Sequence, residues 1–200
     1  MKKFLIVVDM QKDFVDGALG TPEAVAIVDN VCKKIKEYAV PEEGVTKQVI
    51  VTFDTHAENY METLEGANLP VPHCIAGTPG HALDAKVEEA LMESGILYAI
   101  LEKPTFGSVD LPGLILGILG ENACENCILD VCECEEEDFE IELIGLCTDI
   151  CVVSNALYLK ANFYEKKITV DASCCAGVTP ETHAAALATM KMCQINVINE

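Results

Sequence analysis

Positive charge is scarce in this sequence. Thirteen basic residues face 33 acidic ones, a formal charge of −20 with a pI near 4.4. Such a surface repels phosphate backbones and anionic lipid, so neither nucleic acid nor a membrane surface is expected as a partner. Long hydrophobic runs are missing too. The longest, residues 4–8 and residues 114–119 around a glycine, fall far short of the roughly 20 residues that span a bilayer. Met1-Lys2-Lys3 imitates the start of an export leader, but only five apolar residues separate it from Asp9, too few for a leader. No repeat of roughly 20–50 residues is visible, which excludes solenoids and propellers.

What is present is apolar and thiol-rich. Half of the 200 residues are hydrophobic and the mean hydropathy is +0.27, enough to bury a sizeable core in one domain over 1–200. Eleven cysteines, an odd number in a chain with no export leader, are expected as reduced thiols of a cytoplasmic protein. One biased stretch, near 121–137, is rich in Cys and Glu and reads as a connection.

Apolar runs rich in β-branched residues predict strands buried on both faces at 4–8, 48–53, 97–101, 139–144, 168–170 and 195–198. Helical patterns fall between them at 22–38, 82–93, 111–119, 149–162 and 180–193. Thr21-Pro22 and Thr179-Pro180 each supply an N-cap and a proline at the first helical position. Strands alternating with helices predict an α/β class, three-layer α/β/α, with a six-stranded, mainly parallel sheet and right-handed crossovers, Rossmann-like in outline. Ligands of such sheets collect beyond the carboxyl ends of the strands. The polar residues there are Asp9, Asp54, Lys103 and the turn 145–151.

Two constellations follow. Cys151 lies after a strand where a helix opens, and the helix dipole there is expected to lower a thiol's pKa beside N–H groups that can hold an anion. A buried cysteine taken alone is more often a small hydrophobe. Joined by a carboxylate that takes its proton, Asp9, and an ammonium that holds both charges, Lys103, it becomes an activated nucleophile. The second constellation is Asp54-Thr55-His56, then Glu65-Gly66 and Pro72-His73-Cys74. Two imidazoles with one or two carboxylates suit one borderline divalent ion, Zn²⁺, Fe²⁺ or Mn²⁺.

Val7-Val8-Asp9-Met10-Gln11-Lys12-Asp13-Phe14, Glu102-Lys103-Pro104-Thr105-Phe106-Gly107-Ser108 and Gly145-Leu146-Cys147-Thr148-Asp149-Ile150-Cys151-Val152 resemble three signatures of the isochorismatase-like cysteine hydrolases. The resemblance runs from residue 3 to about residue 195 and is closest to the family's nicotinamidases. It implies the isochorismatase-type hydrolase fold, the triad Asp9, Lys103 and Cys151, and a cis peptide before Cys147 that aims the N–H groups of Cys147 and Cys151 at an oxyanion. It implies one divalent metal ion, Zn²⁺ ahead of Fe²⁺ or Mn²⁺, on Asp54, His56, Glu65 and His73. Many relatives carry a further histidine where this sequence has Glu58, Glu62 and Glu65, so Glu62 is the alternative to Glu65. The implied substrate is a small-molecule amide, nicotinamide, its ring nitrogen at the ion and its ring walled by Phe14 and Phe106. Hydrolysis to nicotinate and ammonia would pass through a cysteine thioester and serve NAD salvage. Another small amide, a carbamoyl compound or a ureido acid is the alternative substrate. Isochorismate itself is disfavoured, because relatives with that activity lack this cysteine. Oligomeric relatives imply a homo-oligomer, with no interface legible here.

A reading from a different class rests on Cys124, Cys127, Cys132 and Cys134, close enough to form a thiol-rich metal or redox module. Their spacing matches no common finger or ferredoxin, and the flanking acids oppose thiolate formation. Cys32 and Cys193 read as core, Cys174 and Cys175 as packing, and His183 as a surface or capping residue.

Overall fold

The computed structural model describes residues 1–120 and 138–200. Cys124, Cys127, Cys132 and Cys134, and with them the proposed connection, lie outside the described residues. Among the described residues the order is β1 (Lys2–Val8), α1 (Lys12–Val15), α2 (Pro22–Tyr38), β2 (Thr46–Asp54), a 3₁₀ turn (Tyr60–Glu62) and α3 (Leu64–Asn68). Then follow α4 (Ala85–Ser94), β3 (Tyr98–Lys103), α5 (Leu111–Leu119), β4 (Phe139–Leu146), a π-helical turn (Thr148–Val152), α6 (Val153–Asn162), β5 (Lys167–Ala176), α7 (Pro180–Met192) and β6 (Asn196–Ile198).

The six strands form one parallel sheet in the order β3-β2-β1-β4-β5-β6. Because β1 lies at its centre, residues 4–8 are wholly buried and alternate between two cores. Phe4, Ile6 and Val8 pack toward α5, α6 and α7, while Leu5 and Val7 pack toward α2 and α4. This is the three-layer α/β/α arrangement expected from the sequence.

The chain winds outward from β1 to β3, then returns to place β4 on the other side of β1. Strand order therefore reverses between β1 and β4, and a crevice opens beyond their carboxyl ends. No helix among the described residues is long and apolar enough to cross a membrane.

Departures from the predicted elements have local causes. β5 runs ten residues rather than three, because its polar Asp171 is buried by an ion pair with Lys34 at 2.6 Å that a hydropathy pattern does not show. α4 begins at Ala85, where the Asp84 carboxylate accepts the N–H groups of Lys86 and Val87. The predicted helix over 149–162 opens instead as the π-helical turn, with α6 behind it. Cys32, half-buried, packs against the core as expected, whereas Cys193 is exposed, which corrects its assignment to the core: it follows the last turn of α7 at the surface.

Candidate active site

Asp9 follows the last residue of β1 and turns out of the sheet with φ of 48°, a left-handed conformation that Asp tolerates better than most residues. β4 runs beside β1 with Gly145 opposite Val8. Gly145 has φ of 119°, and a Cβ there would meet the Val8 carbonyl oxygen at 2.1 Å. Only glycine lets the strand leading to the cysteines lie so close to the strand leading to the carboxylate. The Leu146–Cys147 peptide beyond it is cis.

Lys103, the last residue of β3, reaches across the end of β2 to this point. Its Nζ lies 2.6 Å from Asp9 Oδ2 and 3.8 Å from Cys151 Sγ. All three side chains are buried. The Thr52 hydroxyl donates to Asp9 Oδ1 at 2.6 Å. Oδ2 meets the Lys103 ammonium and keeps a further lone pair that can accept a proton.

Burial pushes the Asp9 carboxyl above its ordinary pKa, against the pull of Lys103. Burial first, and then the Asp9 charge, pushes the Cys151 thiol well above its own. Cys151 sits in the π-helical turn, four residues on from Cys147, and burial there raises its pKa where the helix dipole was expected to lower it. The Lys103 ammonium stands against Asp9, Cys151 and, at 3.6 Å, the Asp54 carboxylate, so a dry site favours one negative charge on the Asp9–Cys151 pair, with a single proton shared between them.

The second cluster stands beside the first. The Asp54 Oδ1 atom is 3.6 Å from Lys103 Nζ, while Oδ2 faces away, 2.8 Å from His56 Nε2 and 3.5 Å from His73 Nε2. Ligand atoms of Asp54, His56 and His73 all lie within 4.8 Å of one another, and all three residues are buried. Glu65 Oε1 is 3.7 Å from both Nε2 atoms, whereas Glu62 is exposed on the preceding 3₁₀ turn. His73 Nδ1 lies 2.8 Å from the Val71 carbonyl, which can only accept, so this nitrogen carries the proton and Nε2 presents its lone pair. His56 Nε2 is buried, and among the described residues no group is aligned to hydrogen-bond it, Asp54 Oδ2 at 2.8 Å included. Such an orphan, among two imidazoles and two carboxylates, is what a first-row divalent cation would complete.

Between the clusters lies a cavity of about 320 Å³, at the small end for small-molecule sites. Cys147 and Cys151 line one side, and Asp54, Glu65 and His73 another. The walls between are largely apolar. Phe14 packs its ring 5.4 Å from that of His73, while Phe106, 46% exposed, stands as a more open wall. Every predicted site residue thus meets at this cavity or its buried rim, apart from the alternative Glu62.

Three supporting residues escape a reading of the sequence. Thr52 sits in an unremarkable apolar strand. The Gln11 side chain clamps the Asp54 backbone, accepting its N–H at 2.7 Å and donating to its carbonyl at 2.8 Å. Tyr60 packs edge-on against both imidazoles, 4.8 Å from His56 and 5.0 Å from His73. Gln11 lies within a recognisable signature, but nothing in its residue type reveals the clamp.

Comparison with known proteins finds relatives along the whole chain. A family model described as the isochorismatase domain matches residues 3–111 and 133–199. The nicotinamidase/pyrazinamidase of Mycobacterium tuberculosis is 27% identical over 203 residues, covering 97% of each chain. The crystal structure of a nicotinamidase/pyrazinamidase from Bacillus subtilis superposes with a TM-score of 0.77, at 26% identity and 100% coverage of both chains. A pyrazinamidase from Pyrococcus horikoshii in complex with zinc gives a TM-score of 0.70, at 26% identity and 99% coverage of both.

Proposed function

The chain belongs to the isochorismatase family, and from that premise we propose that it is a cysteine hydrolase that converts nicotinamide to nicotinate and ammonia. One observation carries the proposal: a single small cavity is lined at one side by the Cys151 thiol and at another by Asp54, Glu65 and His73, with apolar walls between. That spacing of functions suits a flat, neutral ring bearing a carboxamide. Phe14 and Phe106 are the proposed walls for the ring.

Asp54, His56, His73 and Glu65 would hold one divalent cation, Zn²⁺ first and Fe²⁺ or Mn²⁺ as alternatives. When bound, it supplies an electrophilic anchor for the pyridine nitrogen. The chain's own residues carry the covalent chemistry. Asp9 takes the Cys151 proton, and the thiolate adds to the carboxamide carbon. Backbone N–H groups of Cys147 and Cys151 receive the oxyanion, a contribution on the order of 2.7–4 kcal/mol per donor in comparable sites. Asp9 returns the proton to the departing nitrogen, the C–N bond breaks and ammonia leaves a thioester. Water then loses a proton to Asp9 and attacks the thioester carbon, the C–S bond breaks, and the thiol re-forms as nicotinate departs. Lys103 stays charged throughout and balances whichever partner is the anion.

The apolar walls favour this substrate over a flexible ureido acid. An ammonia-release assay on nicotinamide, pyrazinamide, benzamide and an N-carbamoyl amino acid, with and without chelator, tests the reading. Turnover of the two ring amides that falls on chelation is expected; turnover of the carbamoyl compound alone would overturn it.

A further inference from the structure

The π-helical turn is tied to its surroundings by side chains with no part in the chemistry derived so far. The Thr148 side chain, wholly buried, places Oγ1 at 2.8 Å from Nδ1 of His183, in the first turns of α7. The next residue, Asp149, accepts the Val178 N–H on both carboxylate oxygens, at 3.1 and 3.2 Å. His183 also lies flush against Gly177, where an added Cβ would meet the His183 Cβ at 2.9 Å. Gly177 and Val178 are themselves part of the cavity wall. One imidazole therefore touches both the turn that carries the nucleophile and the stretch of cavity wall bonded to it.

We propose that His183 is a positioning residue: by gripping the Thr148 hydroxyl it fixes the turn that presents Cys151 and the N–H of Cys147 to the cavity. Alongside it stand the Asp149–Val178 bonds, Asn155 Nδ2 donating to the Cys151 carbonyl at 2.9 Å, Ser154 Oγ donating to the Ile150 carbonyl at 2.6 Å, and the Ile150 and Val152 N–H groups on the Cys147 carbonyl; the His183 contact is the tie at Thr148, next to Cys147. Burial holds the imidazole's pKa below its ordinary value, against the charges of Asp149 and Glu200, so the ring is neutral at neutral pH and one nitrogen is an acceptor. A threonine hydroxyl complements either tautomer at Nδ1. The consequence is specific. Displacing the thiol and the oxyanion donors weakens contacts that strengthen in the transition state, so the loss falls on kcat and leaves KM nearly unchanged.

The inference rests on Cys151 as nucleophile, and its test separates the two. His183→Leu should lower kcat on the order of 10–100-fold, the scale of a misplacement of about 1 Å, with KM unchanged. His183→Asn, whose amide sets a polar atom where Nδ1 stands, should recover most of the rate. Thr148→Val should lose as much as His183→Leu, and the double variant no more than either. Wild-type kcat in His183→Leu, equal losses in the Asn and Leu variants, or losses that multiply in the double variant would each overturn the proposal. Should His183→Leu fail to fold, Thr148→Val against Thr148→Ser carries the same comparison. If the wild-type chain releases no ammonia from nicotinamide, the substrate reading fails. The positioning role then stands or falls on Cys151 alkylation by iodoacetamide, slowed in His183→Leu and restored in His183→Asn, with equal rates overturning it.

Discussion

The two ends of the cavity are both buried, both charged, and differ in what completes them. At the catalytic end Asp9 and Lys103 neutralise one another at 2.6 Å, and the Cys151 thiol, 3.8 Å from the same ammonium, can supply a proton from within the chain. At the other end two carboxylates and two imidazoles crowd together, with His56 Nε2 2.8 Å from Asp54 Oδ2 and 3.7 Å from Glu65 Oε1. One cluster is finished by a proton the protein already owns; the other calls for a cation from outside. Asp54 touches both, turning Oδ1 to Lys103 and Oδ2 to the imidazoles. The two ends should thus fail separately, except through that residue.

The sharpest way to test their independence is to remove the thiol. Cys151→Ala should cut ammonia release by at least about 10³-fold, as loss of a covalent nucleophile does, while metal content by elemental analysis stays at that of the wild type. Parallel loss of metal would show a single coupled site. Chelation is the converse experiment. It should lower kcat/KM for nicotinamide by about 100-fold through lost positioning, yet leave the rate of Cys151 alkylation unchanged. Glu65→Gln breaks less: the half-buried carboxylate is the most exposed member of its cluster, so metal affinity should fall about tenfold. Excess metal should then restore activity, and failure of that rescue would place Glu65 outside the metal shell.

The same contrast explains what the sequence discloses. Strands were legible wherever burial on both faces leaves an unbroken apolar run, as at residues 4–8, and were cut short where a polar residue is buried with its partner, as Asp171 is with Lys34. The chemistry-bearing residues were legible because they stand at strand ends as polar interruptions: Asp9, Asp54, Lys103. What holds them was not. Thr52 and Gln11 act through hydrogen bonds that depend on register between β1 and β2, and register is a property of paired strands. The sign of the Cys151 shift was misjudged for a related reason. Sequence shows that a helix begins after β4, but neither the depth of the thiol nor the π-helical turn that carries it there.

Thr52 offers the mildest test, because it changes one hydrogen bond and no charge. Its hydroxyl stabilises the ionised form of Asp9, opposing the burial that raises this carboxyl's pKa. Thr52→Val preserves shape and removes that donor, so the Asp9 pKa should rise further. A buried hydrogen bond to a charged group is worth about 1.5–3 kcal/mol, and about 1.4 kcal/mol corresponds to one pKa unit. The acid limb of kcat/KM should therefore move to higher pH by about one unit, with the rate above the limb little changed. Stability follows the same sign. The folded-state pKa of Asp9 already exceeds that of an unfolded carboxyl, so its ionisation opposes folding as pH rises through that interval. The variant widens the interval at its upper end, and its deficit in melting temperature should be larger at pH 8 than at pH 5. An acid limb that stays in place, or moves to lower pH, would mean that Asp9 is not the base whose ionisation governs the reaction, and would return the proton-accepting role at the catalytic end to another group.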